Sequence, residues 1–373
     1  MAPVPPPKDG GGFHRLMRMT KQPVSADSYL PSPSACERLE QIAVRFHGSV
    51  VTRPGETRVD YALPLHASAE IREFLRLQAT ARFASAYVAR LPGGRVFGSG
   101  NVLSPDGRSI ARDVSPDFGK AFEEHWLLTY PKIRLPLSIE GTTAVIATTL
   151  GSGYGHWLLE ELPRLLALKP GDSDTLIAHA TRACNREALA LHGFSGDLCE
   201  AKRNAHFACE HLIVPSLGHL TPTTIRSLQE FVVPLHRSSS AFGERIYISR
   251  EKARRRRVTN EAELWAALSS HGFVKLHLEE LTWSQQLNAF RVAKVVVAPH
   301  GAGLANLVFC SPGTKVLEFF HRSYVNGCFW QLASLKELDY RPVVRSSAEP
   351  LAQILGANRL DLEVDVAQVV RVL

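Results

Sequence analysis

The stretch "APHGAGLANLVFCSPGTKVLEFF", residues 298–320, decides the class of fold for much of the chain. It follows the apolar run "VAKVVV", whose length and β-branched content are typical of a buried strand. The glycines of "HGAG" then indicate a turn, "AGLANLVFC" predicts a helix, and "TKVLEFF" predicts the next strand. A strand, a glycine turn, a helix and a further strand are the parts of a βα unit in a parallel sheet.

The same alternation extends along the chain in both directions. Before this stretch, "RIYISR" and "FVKLHLEE" predict strands, and "NEAELWAALSSHG" and "TWSQQLNAFRVA" predict helices. An earlier series begins with the strand "TAVIATTL", the turn "GSGYG" and the helix "HWLLEELPRLLAL", and it ends at the strand "CEHLIVPS". Between the two series, "VVPLHRSSSAFGE" is predicted to be a hinge. We therefore predict an α/β protein of two Rossmann-like domains, whose parallel sheets face a central cleft with ligands at the carboxyl ends of the strands.

The length of 373 residues suits two domains, each with its own core. Residues 1–40 are rich in proline and serine, and we predict that this segment is disordered. The N-terminal α/β domain is predicted to cover residues 41–235. The C-terminal Rossmann-like domain is predicted to cover residues 236–373. Turn signals such as "LPGG" and "SPDG" make residues 41–135 the hardest part to interpret.

Composition places the chain among globular cytoplasmic proteins. It is 45% hydrophobic and 21% charged, and no stretch approaches the ~20 apolar residues of a membrane span. The N-terminal "MAPVPPPKDGGG" has proline and glycine where a signal peptide needs an apolar segment. Six cysteines lie without the spacing of a disulfide framework or a zinc site, which suits a reducing compartment. The net charge of +7 favours anionic partners but does not choose among them.

Charged side chains stand where the strands of the second series end. Arg250 directly follows "RIYIS", where a guanidinium can hold a phosphate with two hydrogen bonds. Lys252 and Arg256 belong to the same basic run, "REKARRRR", which also fits a solvated loop or a nucleic-acid-binding segment. Glu318 ends "TKVLE", where a carboxylate can bind a ribose diol or can be an ordinary exposed charge.

The "HGAGL" turn is predicted to bind a phosphate. Glycine lets the backbone approach a ligand, and the free N–H groups of a helix N-terminus attract an anion. His300 can either hold the turn through a backbone carbonyl or donate to a diphosphate oxygen, and we favour the ligand role. We therefore predict that the turn forms a nucleotide pocket together with Arg250 and Glu318.

The first series supplies a candidate catalytic pair. His156 and Glu160 are four residues apart and share one face of the predicted helix, whereas Glu161 points about 100° away. A histidine beside a carboxylate, just past a strand, is suited to act as a general base, although the pair can also simply cap the helix. The preceding "GSGYGH" departs from the dinucleotide fingerprint, because His156 occupies the position of the third glycine.

Three blocks, "GHWLLEELPRL", "YISREKARRRRVTNEAEL" and "VVAPHGAGLANLVFCSPGTKVLEFF", resemble the signature blocks of glycosyltransferase family 61 in their order along the chain. The resemblance covers about residues 140–345. It implies a GT-B-like fold and inverting transfer from a nucleotide sugar, usually a UDP-sugar, with no metal and no other cofactor. It also implies roles for two groups of residues. The donor nucleotide site would contain Arg250, Lys252, Arg256, His300, Gly301, Ala302, Gly303, Leu304 and Glu318, and the catalytic residues would be Glu160 and His156.

The sequence thus predicts a metal-independent glycosyltransferase, hexosyl or pentosyl, acting in bacterial surface polysaccharide biosynthesis. Its expected partners are a nucleotide sugar and a glycan or lipid-linked glycan acceptor, with no nucleic acid. The expected location is the cytoplasm, where the basic surface suits peripheral contact with the inner membrane. The alternatives are a nicotinamide- or flavin-dependent Rossmann enzyme and a non-catalytic nucleic-acid-binding or scaffold protein.

Overall fold

The computed structural model describes residues 29–53, 58–236, 242–354 and 356–373, which form two compact units. The first unit contains the described part of residues 1–54 together with residues 85–218. The second unit contains the described part of residues 55–84 together with residues 219–373. Residues 58–84 and 219–235 therefore pack with the C-terminal unit, although the predicted domain 41–235 included them.

Two sequence predictions fall partly on residues outside the described ranges. Residues 1–28, most of the predicted disordered segment, lie outside them, whereas residues 29–40 contain two strands and the start of a helix. Residues 237–241, the middle of the predicted hinge, also lie outside the described residues.

The strands are given in chain order. They are β1 Tyr29–Pro31, β2 Ala35–Glu37, β3 Ser49–Thr52, β4 Arg58–Asp60, β5 Thr80–Arg82, β6 Tyr87–Pro92, β7 Arg95–Phe97, β8 Asn101–Leu103, β9 Ser109–Ala111, β10 Lys132–Arg134, β11 Leu137–Val145, β12 Thr175–Ala178, β13 Asp197–Glu200, β14 His206–Pro215, β15 Arg245–Ile248, β16 Val274–Leu276, β17 Val295–Pro299, β18 Lys315–Phe320 and β19 Asp339–Val344.

The helices follow in the same order. The α-helices are α1 Leu39–Arg45, α2 Ala69–Arg76, α3 Tyr154–His156, α4 Leu162–Leu166, α5 Ala183–His192, α6 Pro222–Phe231, α7 Glu261–Ser270, α8 Trp283–Val292, α9 Cys328–Leu335 and α10 Val366–Val372. A π-helical turn, Trp157–Glu161, joins α3 to α4. The 3-10 helices are Trp126–Thr129, Val233–Leu235, Leu278–Glu280, Ala302–Phe309 and Ala357–Arg359. Each helix in the part of the chain that the structure describes is too short or too polar to cross a membrane.

The sheet of the first unit is half parallel and half antiparallel. Its strand order is β13-β12-β11-β14-β7-β8-β9-β2, with β6 also on β14 and β3 on β6. The strands from β11 to β14 pair in parallel, as the alternating pattern predicts. In contrast, β6 and β7 both run antiparallel along β14 in one continuous register, and they are separated only by Gly93 and Gly94. The "LPGG" turn signal is therefore a short interruption between two strands that follow one edge of β14, and φ of Gly93 is +67° there.

The larger sheet of the second unit has five parallel strands in the order β16-β15-β17-β18-β19, and β4 and β5 form a separate antiparallel pair. Numbered along the chain, this is the order 2-1-3-4-5 of a doubly wound fold. Its core packs side chains of the central strands against α7 and α10, among them Tyr247, Leu264, Val297, Leu317 and Val369. The topological switch point of such a sheet lies between its first and third strands, here β15 and β17, and ligands are expected at the carboxyl ends of these strands.

The predicted helix after β17 is a 3-10 helix, Ala302–Phe309. Residues 304–309 are all buried, so this short helix belongs to the core and presents no polar face to solvent. Gly301 precedes it in fully extended backbone, with φ of −178°. The turn therefore enters the helix directly from the end of β17.

Candidate active site

Arg250 and Gly301 meet at the switch point of the second unit. Arg250 lies two residues past β15, and Gly301 lies two residues past β17. A Cβ atom at position 301 would stand 2.3 Å from Nη1 of Arg250, so only glycine allows the guanidinium to lie in this place. The sequence prediction that Arg250 and the "HGAG" turn share a site is consistent with this contact.

The guanidinium of Arg250 is poorly satisfied. Nη2 donates to the carbonyl of Arg255 at 3.0 Å, but the buried Nε has no partner among the described residues. Burial, together with the positive charge of Arg256, lowers the pKa of Arg250 to about 10. A cation in this condition is stabilised by any anion that reaches it.

Arg256 is a second partly buried cation of the same loop. Its backbone has φ of +57°, and its guanidinium carbon lies 5.9 Å from the ring centroid of Tyr324. Its Nε is also buried without a partner among the described residues, and burial lowers the pKa of Arg256. Within the described ranges, neither Arg250 nor Arg256 forms an ion pair with a carboxylate. The two guanidiniums thus form a positively charged site that has no ion-pair partner among the residues that the structure describes.

The other cations of the loop behave differently. Lys252, which the sequence analysis placed in the donor site, forms an ion pair with Glu280 and is about half exposed. Arg257 pairs with Asp361 at 2.8 Å. Arg254 and Arg255 are exposed. The structure therefore brings Arg256, but not Lys252, into the partly buried group with Arg250.

His300 is held by a buried chain of hydrogen bonds. Its Nδ1 lies 2.5 Å from Oε1 of Glu318, and the hydroxyl of Tyr340 donates to Oε2 of the same carboxylate at 2.6 Å. The imidazole ring also stacks on Phe320 and contacts Phe329. Burial and the charge of Glu318 raise the pKa of Tyr340 well above its usual value, which keeps the hydroxyl protonated.

Glu318 occupies a different place from the one predicted. It lies inside β18, not at its end, and its side chain is fully buried. Both of its oxygens accept hydrogen bonds from residues of the chain, one from His300 and one from Tyr340. The carboxylate has no exposed surface on which a ribose diol could bind. The carboxylate instead fixes the orientation of the imidazole ring of His300.

The remaining residues of the "HGAGL" turn serve packing. A Cβ atom at Gly303 would stand 2.5 Å from Cδ1 of Leu278, so this glycine makes room for a side chain of the unit itself. Leu304 is 1% exposed and belongs to the core, which leaves no side-chain surface for the predicted donor contact. Ala302 is half-buried, next to Gly301.

The first unit brings His156 and Glu160 together as predicted. Nδ1 of His156 lies 2.7 Å from Oε1 of Glu160, and both side chains are partly exposed, at 41% and 25%. The other oxygen, Oε2 of Glu160, lies 3.5 Å from Oγ1 of Thr148, just past the end of β11. A carboxylate oriented by an imidazole and accessible to solvent can accept a proton from a hydroxyl group.

Glu161 is a buried residue that the sequence analysis did not use. Its Oε1 accepts from the backbone N–H of Thr148 at 2.6 Å and lies 2.7 Å from Nδ1 of the buried His179. A Cβ atom at Gly151 would stand 1.6 Å from this oxygen. Gly151, the first glycine of "GSGYG", is therefore required to make room for the carboxylate of Glu161. Its presence needs no dinucleotide ligand as an explanation.

Arg164 is a buried cation that binds backbone carbonyls near Glu161. It is 1% exposed, and its guanidinium donates to the carbonyls of Ala147 at 2.9 Å and Pro215 at 3.1 Å, at the ends of the neighbouring strands β11 and β14. Burial lowers the pKa of Arg164 to about 10, and Glu161 opposes this effect. The only sequence signal for these residues is a charged pair, Glu161 and Arg164, inside an apolar helix.

No group of three or more histidine, cysteine, aspartate or glutamate residues that could hold a metal ion occurs in the described part of the chain. Two groups of described residues remain candidates for binding a ligand, the cations at the switch point of the second unit and the His156–Glu160 pair of the first.

An unpaired cationic site at the switch point of a doubly wound sheet is suited to a diphosphate, the leaving group of nucleotide-sugar glycosyltransferases. Residues 154–317 match the family model described as Glycosyltransferase 61. This segment contains His156, Glu160, Arg250, Arg256 and His300. The match supports a glycosyltransferase of family 61 and covers less than half of the chain.

Two plant proteins are similar to part of the chain. The β-1,2-xylosyltransferase RCN11 of Oryza sativa subsp. japonica is 32% identical over 97 residues, which are 23% of this chain and 18% of the relative. A β-1,2-xylosyltransferase of Arabidopsis thaliana is 30% identical over 113 residues, 26% of this chain and 21% of the relative. The chain thus matches about a fifth of the length of these relatives. Because they are plant proteins, the predicted bacterial origin stays a prediction.

Proposed function

We propose that this protein is an inverting glycosyltransferase that moves a sugar from a nucleotide sugar to a hydroxyl group of a glycan acceptor. The observation that carries the proposal is the pair of partly buried guanidiniums, Arg250 and Arg256, which lack a carboxylate partner within the described residues. The family model and the two xylosyltransferases support the same class of enzyme.

The donor diphosphate would bind to Arg250, Arg256 and the backbone at Gly301. Because each guanidinium is partly desolvated, its charge destabilises the unliganded unit. Binding of a diphosphate would stabilise both charges. His300 would add a third contact through Nε2, because Glu318 binds Nδ1 and fixes the orientation of the imidazole ring. These groups would hold the negative charge that develops as the nucleoside diphosphate leaves.

The acceptor hydroxyl would lose its proton to Glu160. His156 orients this carboxylate at 2.7 Å, and the side chain of Glu160 keeps enough exposure to reach an acceptor. In an inverting displacement, the acceptor oxygen forms its bond to the anomeric carbon while the bond from that carbon to the diphosphate breaks. The proton of the acceptor goes to the base, and UDP leaves with the electron pair.

UDP-xylose is the donor to test first, because both relatives are named as xylosyltransferases. We propose that the fixed cations perform the charge neutralisation that a divalent metal performs in other glycosyltransferases. The GT-B arrangement, a role in surface polysaccharide synthesis, and a cytoplasmic location next to the inner membrane are further parts of the proposal.

A thermal-shift experiment on the full chain tests the donor class. UDP, UDP-xylose, UDP-glucose, NAD and a short DNA duplex are compared at equal concentration, with and without EDTA. Stabilisation by UDP and at least one UDP-sugar, unaffected by EDTA and absent in Arg250→Ala, is the expected result. A response to NAD or DNA alone, or a full UDP response in Arg250→Ala, contradicts the proposed donor site.

A further inference from the structure

The loop of residues 115–124 in the first unit is fixed by an unusual number of hydrogen bonds. The buried guanidinium of Arg112 donates to the carbonyls of Ser115 at 3.0 Å and Asp117 at 3.1 Å. It also donates to three more carbonyls, those of Lys120, Ala121 and Glu124. One buried cation thus holds both ends of the loop, which restricts its backbone to one conformation.

Further contacts attach the same loop to the residues that precede the catalytic pair. Oγ1 of Thr149 donates to the carbonyl of Pro116 at 3.2 Å. A carboxylate oxygen of Asp117 accepts from the backbone N–H of Trp126 at 2.9 Å. Thr149 follows directly on Thr148, which contacts Glu160. The position of the loop is therefore fixed relative to the proposed base.

The residue that this rigid loop presents is an exposed phenylalanine. Phe118 is 58% exposed, whereas the other phenylalanines in the described part of the chain are buried or half-buried. Its ring centroid lies 6.1 Å from that of His156, with an angle of 49° between the rings. Leu150, 40% exposed, lies in the turn just before α3. An exposed aromatic ring on a rigid loop beside a proton acceptor is typical of a binding surface.

We propose that Phe118 is the platform of an acceptor subsite, on which one sugar ring of the acceptor glycan stacks. A pyranose has an apolar face of C–H groups, which suits an aromatic ring, and hydroxyl groups at its rim, which suit the His156–Glu160 pair. The distance between the two rings is one that a single stacked sugar can bridge. The inference rests on the proposed function, because it names the class of acceptor that the proposed sugar transfer requires.

Saturation-transfer NMR tests the platform directly, without a donor. The full chain is mixed with methyl glycosides of glucose, galactose, mannose and xylose, each as both anomers. At least one glycoside should bind the wild type. Its affinity should fall about tenfold in Phe118→Ala and should be retained in Phe118→Trp. Leu77→Ala, at a residue of the second unit that is 88% exposed, is the control and should bind like the wild type.

The UDP thermal shift is measured on the same variants to separate the two proposals. An unchanged UDP response in Phe118→Ala, together with loss of glycoside binding, supports the platform. Glycoside binding that is absent in the wild type, or equal in the wild type and Phe118→Ala, overturns it, even when UDP still stabilises the protein. Absence of any UDP response in the wild type, with glycoside binding as expected, counts instead against the proposed donor site.

Discussion

Replacing Arg250 with methionine should stabilise the unliganded protein and remove its response to UDP. The guanidinium of Arg250 is partly desolvated, lies near the like charge of Arg256, and has no carboxylate partner among the described residues. A charge in this position costs folding energy until an anion binds. Methionine keeps a long, flexible apolar side chain beside Gly301 and removes the charge.

The size of the effect follows from the pKa of Arg250. A lowering from 12.5 to about 10 corresponds to at most about 3 kcal/mol, at about 1.36 kcal/mol for each pH unit. The variant also loses the hydrogen bond from Nη2 to the carbonyl of Arg255, which contributes about 1 kcal/mol. The net gain is then about 1–2 kcal/mol. For a unit of this size, it should raise the melting temperature by about 2–6 °C.

Differential scanning calorimetry with and without UDP measures both parts of the prediction, and isothermal titration measures the affinity. The loss of a charged hydrogen-bond donor should weaken UDP binding by about 10- to 100-fold. Arg257→Met is the matched control in the same loop. It breaks the exposed ion pair with Asp361, so it should lower the melting temperature slightly and leave the UDP response intact. A lower melting temperature for Arg250→Met with a normal UDP response would refute the reasoning.

Three further predictions concern other parts of the two units. Glu160→Gln should reduce turnover by about 10²- to 10⁴-fold and leave UDP affinity unchanged; a large loss in His156→Ala with none in Glu160→Gln would move the role of base to the histidine. Tyr340→Phe removes the hydroxyl that donates to Oε2 of the buried Glu318, so it should destabilise the protein by about 1–3 kcal/mol. It should also weaken UDP binding, because Glu318 orients His300, and an unchanged melting temperature contradicts the contact. Burial lowers the pKa of His125 to about 4, so on acidification the unfolded chain binds a proton at this residue before the folded protein does. The free energy of unfolding should therefore fall as the pH drops from about 6.5 towards 4, by about 2 kcal/mol at pH 5. His125→Asn keeps an acceptor for the 3-10 helix at 126–129 and should flatten the melting temperature between pH 7 and pH 5; an equally steep decline in this variant rejects the assignment.

The elements of the second unit could be predicted from the sequence because each is marked by its own pattern. Buried parallel strands are short apolar runs, and the helices between them are amphipathic and often capped, as α8 is by Thr282. The strand order could not be predicted, because hydrophobic pattern does not say which strands are neighbours. The first unit was harder to predict, since its strands β2, β3 and β6 to β9 have only three to six residues each.

The site was predicted less well than the elements, for reasons that concern individual side chains. Glu318 was expected to act as the end of its strand, although the predicted strand "TKVLEFF" continues to Phe320 as β18 does, and inside this strand the carboxylate lies in the core. Leu304 was assigned to the ligand because of its motif, although an apolar residue at that position also suits the core. Glu161 was set aside as the residue that points away from Glu160, and that direction leads to the buried His179. Spacing predicts which side chains share a face but not which face is buried.

The contrast between neighbouring cations separates a ligand site from a merely basic loop. Lys252 and Arg257 each have a carboxylate partner, as surface cations of a stable protein often do. Arg254 and Arg255 are exposed, where water stabilises their charge and where binding to nucleic acid would also take place. Arg250 and Arg256 have neither advantage, because they are partly desolvated and lack a carboxylate within the described residues. Such a destabilised charge is retained at positions where function requires it. The switch point of a doubly wound sheet is a position where an anionic ligand would stabilise the charge. We therefore expect the proposed diphosphate to bind Arg250 and Arg256 at the carboxyl ends of β15 and β17, whereas a nucleic acid backbone would reach the exposed Arg254 and Arg255 first.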